Sequence, residues 1–170
     1  MNSGDIKLRE WSYSDIRDLA HYANNRKIWL NLRDRFPHPY TEADALAWIA
    51  ACHSQAGPTT SFAVDREGKV IGGVGFERFG DVHRMTAEIG YWIAEPFWGM
   101  GIATIAARRA SEYGFSTLGL ERIEAAVFEW NPASARVLEK SGYMLEGRRR
   151  NSILKDGRLI DSLLYARLRG

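Results

Sequence analysis

One short stretch constrains this chain more than any other: Trp98-Gly99-Met100-Gly101-Ile102-Ala103-Thr104. It follows an apolar run, Ala87-Glu88-Ile89-Gly90-Tyr91-Trp92-Ile93-Ala94. It opens an amphipathic segment with Ile102, Ile105, Ala106, Ala110 and Tyr113 on one helical face. A strand, a loop with two glycines and a helix together make a phosphate-binding layout. The first N–H groups of a helix have no acceptor within it, and the helix dipole favours an anion in front of them. Glycines let the backbone approach that anion and adopt turns closed to larger residues. An ordinary strand-to-helix turn has the same signature, because short glycine motifs match by chance.

A second cluster decides between these readings. After another apolar stretch, Arg122 to Phe128, come Asn131-Pro132-Ala133-Ser134 and Val137-Leu138-Glu139-Lys140-Ser141-Gly142-Tyr143. The two blocks together resemble the GNAT acyl-CoA N-acyltransferase superfamily. There the first block is the Q/R-x-x-G-x-G/A pyrophosphate loop, and the second is the N-x-x-(A/S)…E-K-x-G-(F/Y) helix beside the pantetheine arm. The wording of the loop resembles the W-G-x-G-x-A of the ribosomal-protein N-terminal acetyltransferase branch. The resemblance is strongest from Val70 to Tyr143.

Bulk properties are compatible with one domain spanning residues 1–170. A chain of this length buries roughly 70% of its unfolded surface, and the 45% hydrophobic content fits a core. The single cysteine, Cys52, excludes an intramolecular disulfide and fits a reducing, cytoplasmic setting. Its isolation, with His21, His38, His53 and His83 scattered, offers no metal-ligand spacing, so no metal is expected. Polar residues follow Met1, which argues against a signal peptide. No apolar run approaches the ~20 residues that span a bilayer. Net charge is +2, and Arg148-Arg149-Arg150 is the sole basic run. It lacks the aromatic interleaving of an RNA reader, so a nucleic-acid partner is not expected.

The pattern predicts a first strand at Ile6–Trp11 and a capped helix after Ser12-x-x-Asp15, broken by Asn24-Asn25. A short second helix is expected over Ile28–Asp34. Another helix starts at Thr41-x-x-Asp44, and a hairpin spans Thr60–Asp65 and Val70–Phe76. Strands follow at Thr86–Ala94 and Glu121–Phe128. Asn131 and Pro132 begin a helix that Gly142 ends, and final strands are expected at Tyr143–Arg149 and Leu159–Arg167. This order argues for an α/β fold with a mixed sheet and helices on both faces. It is also the order of the GNAT fold. The resemblance implies a mostly antiparallel sheet splayed where the acyl-CoA arm enters.

The resemblance implies the chemistry as well: acetyl transfer from acetyl-CoA to an amine, most specifically a protein N-terminal α-amine. A polyamine, amino acid or antibiotic amine is the alternative acceptor. It assigns pyrophosphate anchoring to Gly99, Met100, Gly101, Ile102, Ala103 and Thr104. Trp98 stands where many members carry Gln or Arg, and its side chain is expected to pack under the loop. Backbone N–H groups near Trp92 and Ile93 would polarise the acetyl carbonyl, a donor type that contributes about 3 kcal/mol. Glu88 is the candidate base. It is the one carboxylate in an apolar strand, on a face shared with Gly90 and Trp92. Such a group must be paired, solvated or shifted in pKa, so a structural or substrate-binding role stands beside the catalytic one. Glu124 and Glu129 are weaker alternatives. Many members place a tyrosine acid seven residues after the motif asparagine, and here that residue is Leu138. Ser134 is the substitute acid that the branch resemblance offers, with local helix bonding as its other reading. Asn131 is expected both to cap its helix and to approach the pantetheine amides. Trp29, Arg33, Phe36, Pro37, Tyr40 and Trp48 form an aromatic rim for the acceptor, core packing being the other reading for half of them. A homodimer is left open. Three rivals differ in class. A non-catalytic acyl-CoA-binding module is kept alive by Leu138. A P-loop phosphotransferase lacks its G-x-x-x-x-G-K-(S/T). An RNA-binding protein would use Arg148–Arg150.

Overall fold

Strand β1 (Ile6–Arg9) opens the fold, and a capping box at Ser12 and Asp15 turns the chain into α1 (Ile16–Ala23). Helix α2 covers Arg26–Trp29, earlier than the expected Ile28–Asp34. The Asn25 side chain accepts from the Lys27 N–H and starts this helix, a stronger signal than the apolar residues behind it. A second capping box at Thr41 and Asp44 begins α3 (Glu42–His53). Strands β2 (Ser61–Arg66) and β3 (Lys69–Arg78) meet at the two-residue turn Glu67-Gly68. Both turn residues have positive φ, 55° and 84°, as a tight hairpin of matching twist requires. Then follow β4 (Thr86–Ile93), α4 (Ile102–Ser116), β5 (Arg122–Phe128), α5 (Pro132–Lys140), β6 (Met144–Lys155) and β7 (Arg158–Leu168). Strand β6 runs further than expected. Arg148–Arg150 lie inside it, where Arg148 pairs with Glu129 and Asp161. The computed structural model describes residues 5–170, so the signal-peptide expectation at Met1 lies outside the described residues.

The seven strands form one sheet in the order β1-β2-β3-β4-β5-β7-β6. Every neighbouring pair is antiparallel except β4 and β5. That parallel pairing lasts only from Thr86 opposite Arg122 to Glu88 opposite Glu124, and the two strands then part. Two cores fix the layers. Ile89, Ile93, Ile123 and Val127 pack with Ala106, Ala110 and Leu138 beneath α4 and α5. On the other face Trp11, Leu19, Tyr40 and Ile49 pack beneath α1 and α3, with Trp92 against them. Gly72 shows how closely β3 and β4 approach, since a Cβ there would sit 2.3 Å from the Trp92 carbonyl oxygen. Among the described residues no helix is long and apolar enough to cross a membrane, and no group of three or more His, Cys, Asp or Glu is placed to hold a metal ion.

Candidate active site

The parting of β4 and β5 leaves one edge of β4 without a ladder partner beyond Glu88. The register states which groups line that edge. At the two ends of the β3–β4 ladder the Ala94 N–H donates to Ile71 O (2.8 Å) and the Phe79 N–H to Thr86 O (3.0 Å). Backbone direction alternates along a strand. The even-numbered residues of β4 therefore direct N–H and C=O toward β3. Of the odd ones, the Ile89 N–H closes the last rung with β5, since the parallel pairing of Glu88 with Glu124 uses the amide that follows Glu88, and Tyr91 and Ile93 direct their N–H groups into the gap. Of the two donors expected, Ile93 lies on the open edge. The Trp92 N–H lies on the closed edge opposite Gly73. Tyr91 supplies the second gap-facing N–H.

At the outer end of the gap the chain makes a cradle. A short 3-10 turn over Glu95–Phe97 leads into Trp98, and helix α4 starts at Ile102. Gly99 and Gly101 have φ of 77° and 76°, left-handed values that glycine adopts freely. Gly101 caps α4 without a side-chain hydrogen bond, so Ile102, Ala103 and Thr104 present first-turn N–H groups to the loop. A Cβ at either glycine would meet no protein atom within 4 Å. The space in front of the helix is therefore open to an anion, and the residues fit a pyrophosphate. Trp98 braces the loop, since its Nε1 donates to the Ile93 carbonyl at 2.6 Å. Arg66, from the end of β2, lies 3.5 Å from Met100 Sδ and over the Phe97 ring. Sequence order gave no sign of this cation beside the cradle, because only the β2–β3 hairpin brings it there.

Side chains alternate as well, so Glu88 emerges on the α1–α3 face of the sheet together with Trp92. Glu77 stands opposite Glu88 on β3, and Glu124 stands opposite it on β5. Three carboxylates thus form a row across three strands on one face. Like charges in register repel, and arginines offset them. Arg33 reaches Glu88 Oε1 at 2.6 Å and Glu77 at 2.7 Å, Arg35 also reaches Glu77, and Arg122 bridges Glu124 and Glu146. A cavity of about 450 Å³ opens over Glu88 and Glu124, two of the three carboxylates, and is lined as well by Phe79, His83, Arg122 and Arg149. Glu129 is occupied elsewhere, by Arg148 and the Asp161 N–H. The expected rim divides. Phe36 and Tyr40 pack beside Trp92, whereas Trp29 lies 3.7 Å under the buried Lys155 ammonium. Lys155 also holds Asp34 at 2.7 Å, which ties the segment carrying Arg33 to the β6–β7 turn.

On the opposite face Asn131 caps α5 by accepting from the Ser134 N–H at 3.3 Å. The Ser134 hydroxyl lies 2.8 Å from that of Tyr91. Base and acid candidates therefore stand on opposite faces of the sheet, with the gap between them. The profile of the acetyltransferase (GNAT) domain family matches residues 5–144. The chain belongs to this family.

Relatives of the GNAT chain agree with that placement. The uncharacterized N-acetyltransferase YoaA of Bacillus subtilis is 41% identical over 98 residues, 58% of this chain and 55% of that protein. The matches to it and to two further Bacillus relatives span 55–61% of those proteins. The ribosomal-protein-serine acetyltransferase of Escherichia coli is 31% identical over 169 residues, 98% of this chain and 94% of that one. Among solved structures, a spermidine N-acetyltransferase from Vibrio cholerae in complex with CoA and spermine superposes with a TM-score of 0.81. It is 27% identical, and the match covers 98% of this chain and 96% of that one. Leu138, where many GNAT members carry tyrosine, has no exposed surface and belongs to the core beneath α4. A tyrosine there would overpack that core. Leu138→Tyr is expected to lower stability by about 1–3 kcal/mol, read as a lower melting temperature, and to add no activity.

Proposed function

We propose that this chain is an acetyl-CoA-dependent N-acetyltransferase whose acceptor is a primary amine, first of all the α-amine of a protein N-terminus. One observation carries the reading: the gap begins at Glu88, so the sole acid of β4 stands at the vertex of the opening that leads from the glycine cradle. The cradle N–H groups from Gly99 to Thr104 hold the pyrophosphate. The Tyr91 and Ile93 N–H groups hold the extended arm and polarise its acetyl carbonyl, as preorganised donors do. Glu88 takes a proton from the acceptor amine, directly or through one water. A carboxylate accepts up to about four hydrogen bonds, so the Arg33 contact leaves Glu88 capacity for the amine. Ser134 donates a hydrogen bond to the departing thiolate. The cytoplasm is the site of action that the free thiol of Cys52 fits best.

The carboxylate row supports a second acceptor. A polyamine would set one ammonium on Glu88 and another either on Glu77, in place of Arg33, or on Glu124, in place of Arg122. The experiment is a panel assay of free thiol released from acetyl-CoA with Ser- and Ala-initiated peptides, spermidine and putrescine. Peptide-dependent release supports the first reading and spermidine-dependent release the second. CoA binding without release for any amine would leave an acyl-CoA-binding module in place of an enzyme.

A further inference from the structure

Tyr91 and Ser134 reach each other from two elements that the gap separates. Tyr91 lies on the open edge of β4, and its ring packs against the core beneath α4 and α5. Ser134 sits in the first turn of α5, the helix that follows β5. The Tyr91 hydroxyl is 2.8 Å from Ser134 Oγ and 3.2 Å from the Ser134 carbonyl oxygen. A phenol has one proton to donate. Given to the carbonyl, it leaves the serine proton to turn back onto the Tyr91 oxygen, and both donors are used within the pair. Given to Oγ, it prevents that return, and the serine proton must point away from Tyr91. The second arrangement also polarises the serine hydroxyl through the chain of hydrogen bonds.

We infer that Tyr91 is a positioning residue for acetyl transfer, its hydroxyl donating to Ser134 Oγ so that the serine proton is turned toward the leaving sulfur. The inference rests on the acetyl-transfer reading above. As the C–N bond forms and the C–S bond breaks, the sulfur keeps the bonding electron pair. Ser134 donates a hydrogen bond to that sulfur and Tyr91 donates one to Ser134, and neither loses its proton. The amine proton passes to Glu88 and then to water, and the thiolate takes its proton from water. Burial raises the Tyr91 hydroxyl above the ordinary phenol range, so it remains a donor wherever the enzyme works.

The test is a double-mutant cycle of Tyr91→Phe and Ser134→Ala, read as thiol release from acetyl-CoA with a peptide amine, spermidine or water as acceptor. Tyr91→Phe is expected to lower kcat about threefold to tenfold, the value of one hydrogen bond, with KM for acetyl-CoA unchanged within about twofold. Ser134→Ala is expected to lower kcat about tenfold, and the double variant no further, because Tyr91 acts only through Ser134. In a Ser134→Thr background, which keeps a hydroxyl, the effect of Tyr91→Phe should persist. Tyr91→Met, a side chain that adapts to the space, gives the same reading if the phenylalanine variant melts early. Losses that multiply, or a Tyr91→Phe enzyme at full kcat beside a slow Ser134→Ala enzyme, overturn the inference and spare the acetyl-transfer reading. An unchanged Ser134→Ala removes both Ser134 and Tyr91 from the reaction. Absence of thiol release from the unaltered chain overturns the acetyl-transfer reading itself, and the inference with it.

Discussion

Gly101→Asp is expected to abolish acetyl-CoA binding while the protein still folds. In the unaltered chain, acetyl-CoA at 100 times its Kd should stabilise the fold by about 2.7 kcal/mol. For a chain of this size that is a rise in melting temperature of about 5–11 °C. Gly101 has a left-handed φ of 76°, and a Cβ there meets no protein atom within 4 Å. Any side chain is strained at this φ, by about 1–2 kcal/mol, but aspartate is among the few that adopt it, and that strain is smaller than the stability of a typical domain. The new carboxylate, however, projects into the space in front of Ile102, Ala103 and Thr104. Two like charges about 4 Å apart repel by about 4 kcal/mol at an effective dielectric of about 20, close to a thousandfold in affinity. Gly101→Asn adds similar bulk without the charge and separates the two effects. Melting curves of the three proteins with and without acetyl-CoA check the expectation. An aspartate variant stabilised as much as the parent would move the anion site away from the cradle.

Glu88→Gln is expected to lower kcat by about a hundredfold or more, the usual range for a general base, with acetyl-CoA affinity nearly unchanged. Glutamine keeps the shape of the side chain and an oxygen that can still accept from Arg33, so the segment after α2 should stay in place. Steady-state kinetics over acceptor concentration separate the two roles of Glu88. A kcat within a few-fold of the parent with a sharply raised acceptor KM would make Glu88 a binding residue for the ammonium. Glu124, next to it in register, would then be the carboxylate to replace.

How much of this was legible in the sequence depended on how local the signal was. The cradle was legible because Gly99, Gly101 and a helix start act within a few residues of one another. Glu88 was legible because an acid stands out in an apolar strand. Asn131 and Pro132 announced α5 for the same local reason, and its cap formed as expected. The partner of Glu88 was not legible, since Arg33 lies on an irregular segment and meets β4 only through tertiary packing. Tyr91 carries no such local signal, because an aromatic between Gly90 and Trp92 does not stand out in an apolar strand. Its position one residue off the Glu88–Trp92 face was the available clue, since alternation sends it toward the helix that carries Ser134. The Trp92 N–H was expected on the gap because neighbouring residues were not separated by backbone direction. The strand expected to stop at Arg149 runs on to Lys155, because the polar residues Arg150 to Ser152 break the apolar pattern without breaking the strand. An edge strand tolerates such residues on its exposed face.

The placement of the acyl-CoA arm between β4 and β5 is tested most directly by amide hydrogen exchange with and without acetyl-CoA. Protection is expected on binding at Tyr91 and Ile93, along the open edge of β4, and at Gly101 to Thr104, where α4 begins. The Trp92 amide, already directed toward β3, should change little. Protection absent from both segments, or confined to the α1–α3 face, would contradict the placement of the arm in the gap.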